Sequence, residues 1–298
     1  MFVKDFKIDV IVPTADASKW PAKESIEWNK KRARNYPEVK FIPIESSGPN
    51  FSFSKSVNRG IAEAREDSDI LLLNDDCFMD ALWPMRFWAA RISHKDCGLF
   101  GALLSFPSDF DVHSHGNLYS GKGALNHWKP EYQHAGGYIP LTMKEMLYGV
   151  VRFGVWNASP LFILRQGIKV PESALRFPGH YHNLSLRNRI DLVTAACMLI
   201  TRPALNKLGG FDESYPLGFE DTDYCLKARE AGIRLCLVTD CHGSHYESLT
   251  TRHLEDKKRD SYRIFHKNWP RERLFRAIND TEPTVVHPKY CSCGVWIE

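Results

Sequence analysis

Short apolar runs that stop at polar clusters, each followed by a helix-compatible stretch, constrain this chain most. Residues 8–12, Ile-Asp-Val-Ile-Val, stop at Pro13-Thr14 and read as a buried strand ending in a loop. Residues 23–36 read as a helix. A second strand, 39–44, runs into Glu45-Ser-Ser-Gly-Pro-Asn50, and the helix-compatible stretch 54–65 closes on Glu66-Asp67-Ser68. A third strand, 69–73, ends in Asn74-Asp75-Asp76. Strand and helix alternate, which implies βαβ units and a mostly parallel sheet. Ligands of such sheets gather beyond the carboxyl ends of the strands, and three strand ends here carry polar residues.

Order of this kind lapses over 101–190, where Gly, His, Asn, Tyr and Trp dominate and no period persists. A segment of that length is a lid, a binding loop or an irregular structural insertion. Within it, His113-Ser-His115 lacks carboxylate partners and reads as surface histidines rather than ligands. Regularity returns with a buried-strand signature at 191–200. A helix at 203–208 then ends at Gly209-Gly210, a second helix runs from Asp221 to its cap at Gly232, and a strand at 233–238 leads to His242 and His245.

Composition narrows the function classes. The 298 residues are 43% hydrophobic and 12% aromatic, enough for a large core. Lys+Arg 39 against Asp+Glu 36 leaves a charge of +3, so the chain as a whole has no field for nucleic acid. The longest uncharged apolar run, 192–200, is far below the roughly 20 residues that cross a bilayer. Residues 1–9 alternate charged and apolar side chains and read as no secretory leader, so a cytoplasmic location is expected. Most of the 8 cysteines read as small core hydrophobes. Cys291-Ser-Cys293 with His287 offers two thiolates and one imidazole, one ligand short of a closed zinc site, and an ordinary tail is the simpler reading.

Three acidic or imidazole clusters need a common explanation: Asp75-Asp76 after an early strand, Glu220, Asp221 and Asp223 at a helix start, and His245 after a late strand. Adjacent carboxylates repel unless a cation or donors offset them. A divalent ion between Asp76 and His245 would do so, and mixed oxygen and imidazole ligation with open positions favours Mn²⁺ or Mg²⁺ over zinc. Each group also has a structural reading. Acidic residues at a helix N-terminus stabilise it by about 0.3–1 kcal/mol, and Asp223 can bond loop amides as well as acceptor hydroxyls.

The motifs Asn50-Phe-Ser-Phe-Ser-Lys-Ser-Val-Asn58-Arg-Gly, Leu-Leu-Leu-Asn74-Asp-Asp76 and Gly218-Phe-Glu-Asp221-Thr-Asp-Tyr-Cys-Leu-Lys-Ala-Arg-Glu-Ala-Gly232 occur in the order found in family 2 glycosyltransferases. The chain resembles that family from about Ile8 to His245, and more weakly on to Tyr262-Arg-Ile-Phe-His-Lys-Asn-Trp269. The resemblance implies a GT-A (Rossmann-like) α/β fold with a mixed, mostly parallel sheet flanked by helices, a long irregular loop insertion and a C-terminal helical extension. It also implies a nucleotide-diphosphate sugar donor, a divalent metal and inversion at the anomeric carbon. Thr14 and Glu45 match nucleoside-holding positions, although many relatives have Asp where Glu45 stands. Asn58 matches a recurrent Asn near the donor, Asn74 and Asp75 the donor side of the acidic motif, and Asp76 its metal-binding carboxylate. His245 matches a second metal ligand. Asp221 matches the general base, with Glu220 and Asp223 beside it on the acceptor side. Asp111-Val-His-Ser-His-Gly116 is similar to a turn in bacterial members.

The expected organisation is one GT-A domain over 1–250, its donor part about 1–100 and acceptor part about 101–250, followed by a helical extension and tail over 251–298. The expected reaction moves a sugar from a UDP- or dTDP-linked donor to a saccharide or lipid-linked saccharide. Relatives often have Gly-Ala where this chain has Ala195-Ala196, and the added methyl narrows the acceptor cleft. The stretch 251–269 combines Lys257, Lys258, Arg259, Arg263 and Lys267 with Leu254, Phe265 and Trp269. It suits an anionic membrane surface, or a solvated helix packed on the domain. Two rivals stand beside this reading: a sugar nucleotidyltransferase, which needs a basic glycine-rich loop that does not follow the first strand, and a catalytically silent sugar- or nucleotide-binding protein.

Overall fold

A computed structural model describes residues 6–36, 38–48, 51–105, 131–134, 179–180, 192–246 and 255–287. The chain begins β1 (Ile8–Thr14), α1 (Ala22–Ala33), β2 (Val39–Glu45), α2 (Phe53–Glu63) and β3 (Asp69–Leu73). It continues through β4 (Cys77–Met79), α3 (Trp83–Ser93), β5 (Cys97–Ser105), β6 (Glu131–His134) and β7 (Gly179–His180). Next come β8 (Cys197–Ile200), α4 (Arg202–Leu208), α5 (Glu220–Glu230) and β9 (Arg234–His245). Helices α6 (Glu255–Asn268) and α7 (Arg271–Asn279) precede the last strand, β10 (Val285–His287).

The main sheet has the order β10-β9-β5-β8-β3-β1-β2. All neighbours along it are parallel except β8, which runs antiparallel to both β3 and β5. β1 is buried along its whole length, as a strand with both faces covered must be. Its side chains alternate between two cores. Ile8, Val10 and Val12 pack with Ile26 of α1 and Trp83 and Phe87 of α3, whereas Ile11 packs with Val57 of α2, Leu205 of α4 and Leu226 of α5. The result is a mixed, mostly parallel sheet between two helical layers, the GT-A class expected.

Polar residues at the amino ends of strands are tied down by cations. The Asp9 carboxylate accepts from Arg65 Nε at 2.9 Å and from the Ser68 hydroxyl at 2.9 Å. Asp69 accepts from Arg91 Nε at 2.6 Å and from the Arg202 backbone N–H at 2.7 Å. The opposite, carboxyl end of the sheet is built differently: among the described residues no Lys or Arg pairs with Asp75 or Asp76 there.

Five elements depart from the sequence reading. β4, α3 and β5 occupy 77–105, where no element was assigned, and β10 adds a strand parallel to β9 in what read as an uninformative tail. β9 runs to His245 instead of stopping near Val238, because its polar second half pairs with β4 and, after a register shift, with β5. α6 turns Phe265 and Trp269 into the core, so its apolar side is occupied by the domain itself. Arg259 and Arg263 pair with Asp256 and Asp260 on the same helix. Among the described residues no helix is long and apolar enough to cross a membrane. Most of 101–190, including His113, His115 and the turn at 111–116, lies outside the described residues, as does Leu254.

Candidate active site

The carboxyl ends of β1, β2 and β3 lie side by side, with Thr14 paired to Glu45 in the β1–β2 register. After Leu73 the chain makes a tight turn. Cys77 donates its N–H to Asn74 O at 3.1 Å, and Asn74 donates its own N–H to Ala196 O at 2.9 Å. That turn presents Asp75 and Asp76 at the sheet's edge. β4 then pairs antiparallel with the end of β9, Cys77 opposite His245, and Tyr246 donates its N–H to Asp76 O at 3.3 Å.

Through this pairing, residues far apart in sequence meet. Asp76 Oδ1 lies 3.0 Å from His245 Nε2, and Asn74 Nδ2 lies 3.2 Å from the same nitrogen. Both Asp76 and His245 are buried. Among the described residues no Lys or Arg pairs with Asp75 or Asp76, in contrast to Asp9 and Asp69. Burial pushes the Asp75 carboxyl up to about 6, against a hydrogen bond from the Thr14 hydroxyl and with the neighbouring Asp76 charge adding to the rise. Two adjacent carboxylates without a cationic side chain form a place where a metal ion lowers the electrostatic cost.

The pair fits such an ion. Ligands on adjacent corners of an octahedron with bonds of about 2.1 Å are about 3.0 Å apart, which is the separation of Asp76 Oδ1 and His245 Nε2. Among the described residues no three His, Cys, Asp or Glu side chains gather around one point. Among the described residues the pair offers one oxygen and one nitrogen, leaving further positions for water or a ligand's oxygens. That donor set suits a hard divalent ion with open positions.

Asp221 reaches the same region from α5. Gly218 and Phe219 both adopt positive φ, 82° and 70°, turning the chain abruptly into the helix. The left-handed conformation is unfavourable at Phe219, and its ring is held against Phe265 at 5.0 Å between centroids. The half-buried Asp221 accepts from Ala195 N–H at 3.2 Å and Thr222 N–H at 2.8 Å. Ala195 and Ala196 thus bridge the two parts of the site, the first binding Asp221 and the second binding Asn74.

Other expected site residues make contacts within the fold. Asn58 gives its amide to the loop after α4: Nδ2 donates to Phe211 O and Glu213 Oε1, both at 2.9 Å, while Oδ1 accepts from Phe211 N–H at 2.8 Å. These bonds clamp α2 to that loop. Gly210 must be glycine there, since a Cβ would come within 2.5 Å of Asn58 Oδ1. Asp223 likewise points inward rather than to an acceptor. Its Oδ1 accepts from Trp269 Nε1 at 2.8 Å and the Tyr215 hydroxyl at 3.1 Å, and its Oδ2 pairs with Lys227 at 2.6 Å. Glu220 is buried at the helix start. Glu45 is exposed and accepts from Ala17 N–H at 3.1 Å, steadying the loop after β1.

Asp223→Ala leaves the buried Trp269 and Tyr215 donors without this acceptor, at about 1–3 kcal/mol each. The expected result is a fall in unfolding free energy of about 2–5 kcal/mol by urea titration, with any loss of activity following the loss of folded protein. A stability unchanged within about 0.5 kcal/mol would refute the structural assignment.

Two aromatic residues were not anticipated. Trp20 is 48% exposed, and its ring meets the Tyr246 ring edge-on at 5.9 Å, while Tyr246 meets Phe78 at 5.8 Å. They flank His245 on the side of the loop after β1. An exposed Trp just beyond a strand end was the available signal. His242, by contrast, is the satisfied histidine expected, its ring nitrogen 2.6 Å from Thr239 O.

A mostly parallel α/β sheet with an acidic turn at the end of an interior strand, and a histidine beside it, is the arrangement that a GT-A fold implies. In motif order the chain is similar to family 2 glycosyltransferases. Its curated relatives include the uncharacterized protein y4gI of Sinorhizobium fredii, 36% identical over 204 residues, which is 68% of this chain and 18% of that protein. The O-antigen biosynthesis protein RfbC of Myxococcus xanthus is 23% identical over 66% of this chain and 12% of its own length. The low-salt glycan biosynthesis hexosyltransferase Agl10 of Haloferax volcanii is 30% identical over 28% of this chain and 31% of its own length. The chain thus spans less than a third of each of these relatives. No protein-family model matches it. Among solved structures, the mannosyltransferase PcManGT of Pyrobaculum calidifontis, in complex with GDP-Man and Mn²⁺, aligns over 93% of this chain and 65% of its own with a TM-score of 0.42 and 14% identity.

Proposed function

We propose that the chain is a metal-dependent, inverting glycosyltransferase that moves one sugar from a nucleotide-diphosphate donor to a saccharide or lipid-linked saccharide. The observation that carries this reading is the approach of Asp76 Oδ1 and His245 Nε2 to 3.0 Å, with Asp221 joined to the same turn through Ala195-Ala196. Relatives named for O-antigen and glycan biosynthesis support the substrate class.

Asp76 and His245 would hold the ion, and a divalent cation there supplies positive charge against the charge that develops on a departing diphosphate, typically several kcal/mol. Thr14, Asp75 and Glu45 border the donor at the strand ends. Asp221 takes the proton of the acceptor hydroxyl as its oxygen forms the new bond to the anomeric carbon and the bond from that carbon to the diphosphate oxygen breaks. Attack from the face opposite the leaving group inverts the centre. The Ala195 and Thr222 N–H groups hold the carboxylate and orient it for that proton.

Incubation with Mn²⁺ and a panel of UDP-, dTDP- and GDP-linked sugars, with a mixture of saccharide acceptors, tests the reading. Release of nucleoside diphosphate that requires acceptor is expected. Release of pyrophosphate would identify a nucleotidyltransferase instead, and binding without release a silent binding protein.

A further inference from the structure

The two helices that cover one side of the sheet turn complementary faces to solvent, one cationic and one apolar. α1 and α3 touch each other and pack on the same core, Ile26 and Ala33 from the first, Trp83, Phe87 and Ala90 from the second. On α1, Lys23, Glu27, Lys30, Lys31 and Arg34 are exposed, and their spacing of i, i+4, i+7, i+8 and i+11 puts them on one face. None of those four cations forms an ion pair among the described residues.

The outside of α3 carries no charge. Its buried residues, Trp83, Pro84, Phe87 and Ala90, lie at i, i+1, i+4 and i+7, and the opposite side is Leu82, Met85, Ala89 and Ile92. Leu82 is 42% and Met85 38% exposed, and Ala89 and Ile92 are half-buried, so an apolar stripe faces water along the helix. Arg86 and Arg91 flank the stripe and are turned to Asp80 and Asp69. A surface helix ordinarily carries polar residues where α3 carries Leu and Met. Trp20, immediately before α1, is exposed as well, so three of the four large hydrophobic side chains that stand exposed among the described residues belong to this side.

An exposed apolar patch marks contact with a protein or a membrane, and here the charge decides between them. Segments 15–36 and 81–95, which contain both helices, hold 9 Lys and Arg against 3 Asp and Glu, although the whole chain carries only +3. A second copy docked about a two-fold axis would bring two cationic α1 faces into one contact, where like charges repel. An anionic bilayer instead offers apolar depth to the stripe and phosphates to the lysines. α6, also basic, has no such stripe, since its Phe265 and Trp269 are in the core.

We propose that the outer face of α1 and α3 docks on an anionic lipid bilayer, with Leu82 and Met85 entering the headgroup region and Lys23, Lys30, Lys31 and Arg34 facing lipid phosphates. The surface stands on these two helices alone and is independent of the transferase reading.

Full-length protein should co-sediment with vesicles of phosphatidylcholine containing about 30% phosphatidylglycerol, and at least about tenfold less with vesicles of phosphatidylcholine alone. Lys30→Gln/Lys31→Gln and Leu82→Ser/Met85→Ser should each lower the vesicle partition coefficient at least about fivefold, with thermal melts and near-ultraviolet dichroism showing that folded proteins are compared. The lysine variant changes only exposed positions and decides alone if the other does not fold. Arg259→Gln/Arg263→Gln on α6 should bind as the wild type does. No sedimentation with anionic vesicles, equal binding to neutral and anionic vesicles, binding unaltered in the folded double variants of α1 or α3, or binding lost in the α6 variant would overturn the proposal. So would a lipid-free dimer in analytical ultracentrifugation that Leu82→Ser/Met85→Ser dissociates, which would give the stripe to a second copy.

Discussion

Asp221→Asn is expected to lower turnover by about 10²- to 10⁴-fold while leaving the dissociation constant of the nucleotide sugar unchanged within about twofold. The amide oxygen of Asn can still accept from Ala195 N–H, now at 3.2 Å from Oδ2, so the Ala195-Ala196 bridge survives the change while the Thr222 N–H loses its acceptor. What the amide cannot do is take a proton. The donor is expected on the other side of that bridge, at Thr14, Asp75 and the Asp76–His245 pair, so its affinity is insulated from the substitution. Single-turnover rates measure the first quantity and calorimetric titration of the nucleotide sugar the second. Turnover within about threefold of wild type would exclude Asp221 as the base, because a positioned general base contributes far more than that.

The sequence displayed the donor half well, for a physical reason. β1 and β3 are short apolar runs cut off by Pro13 and Asn74, and parallel strands buried on both faces leave that signature directly, while β2 ends the sheet with only Ile42 and Ile44 buried. The acidic pair falls at a strand end, so its position in the fold follows from where the apolar run stops. β9 is the opposite case. Its second half, Thr239-Asp-Cys-His-Gly-Ser-His245, has the composition of a loop, yet it is buried and paired with β4 and β5. Polar side chains there are satisfied by partners that only the tertiary structure supplies, such as Asp80, which accepts from His242 N–H at 3.3 Å. His245 is legible as a polar residue following a late strand, and the family resemblance adds its match to a metal ligand, but nothing local shows that the strand itself runs on to it.

Asn58 and Asp223 have contacts that the sequence does not announce. Each is polar, each adjoins the site in sequence, and each is taken up by a contact with a distant element: Phe211 and Glu213 for the first, Trp269 and Tyr215 for the second. The partners lie 153 and 155 residues away for Asn58, and 46 residues away for the Trp269 contact. No local pattern announces such pairings, whereas a buried polar group must find one somewhere. α3 escaped notice for a related reason. Trp83, Phe87 and Ala90 face the core, but exposed Leu82 and Met85 blur the stripe that would have marked a helix.

Asp76→Asn carries the other large effect, and its signature differs from that of Asp221→Asn. Asn retains the shape of the side chain and an oxygen within reach of His245, but it removes the anionic ligand from a two-ligand set. Outer partners of metal ligands already contribute 10- to 100-fold in affinity, so loss of a direct ligand should weaken Mn²⁺ by more than about 100-fold. Turnover and nucleotide-sugar affinity should fall together, since the diphosphate would be held through the same ion. Stability should move the other way or not at all. Without a cation, Asp75 and Asp76 are adjacent carboxylates with no Lys or Arg partner among the described residues, and neutralising one relieves that repulsion. In thermal melts, Mn²⁺ with nucleoside diphosphate should raise the Tm of the wild type and leave that of Asp76→Asn nearly unchanged, while the unliganded Tm of the variant equals or exceeds that of the wild type. A variant that melts well below the wild type in the absence of ligands would mean that Asp76 is held in the fold by structural contacts, and the metal-binding role would fall with that result.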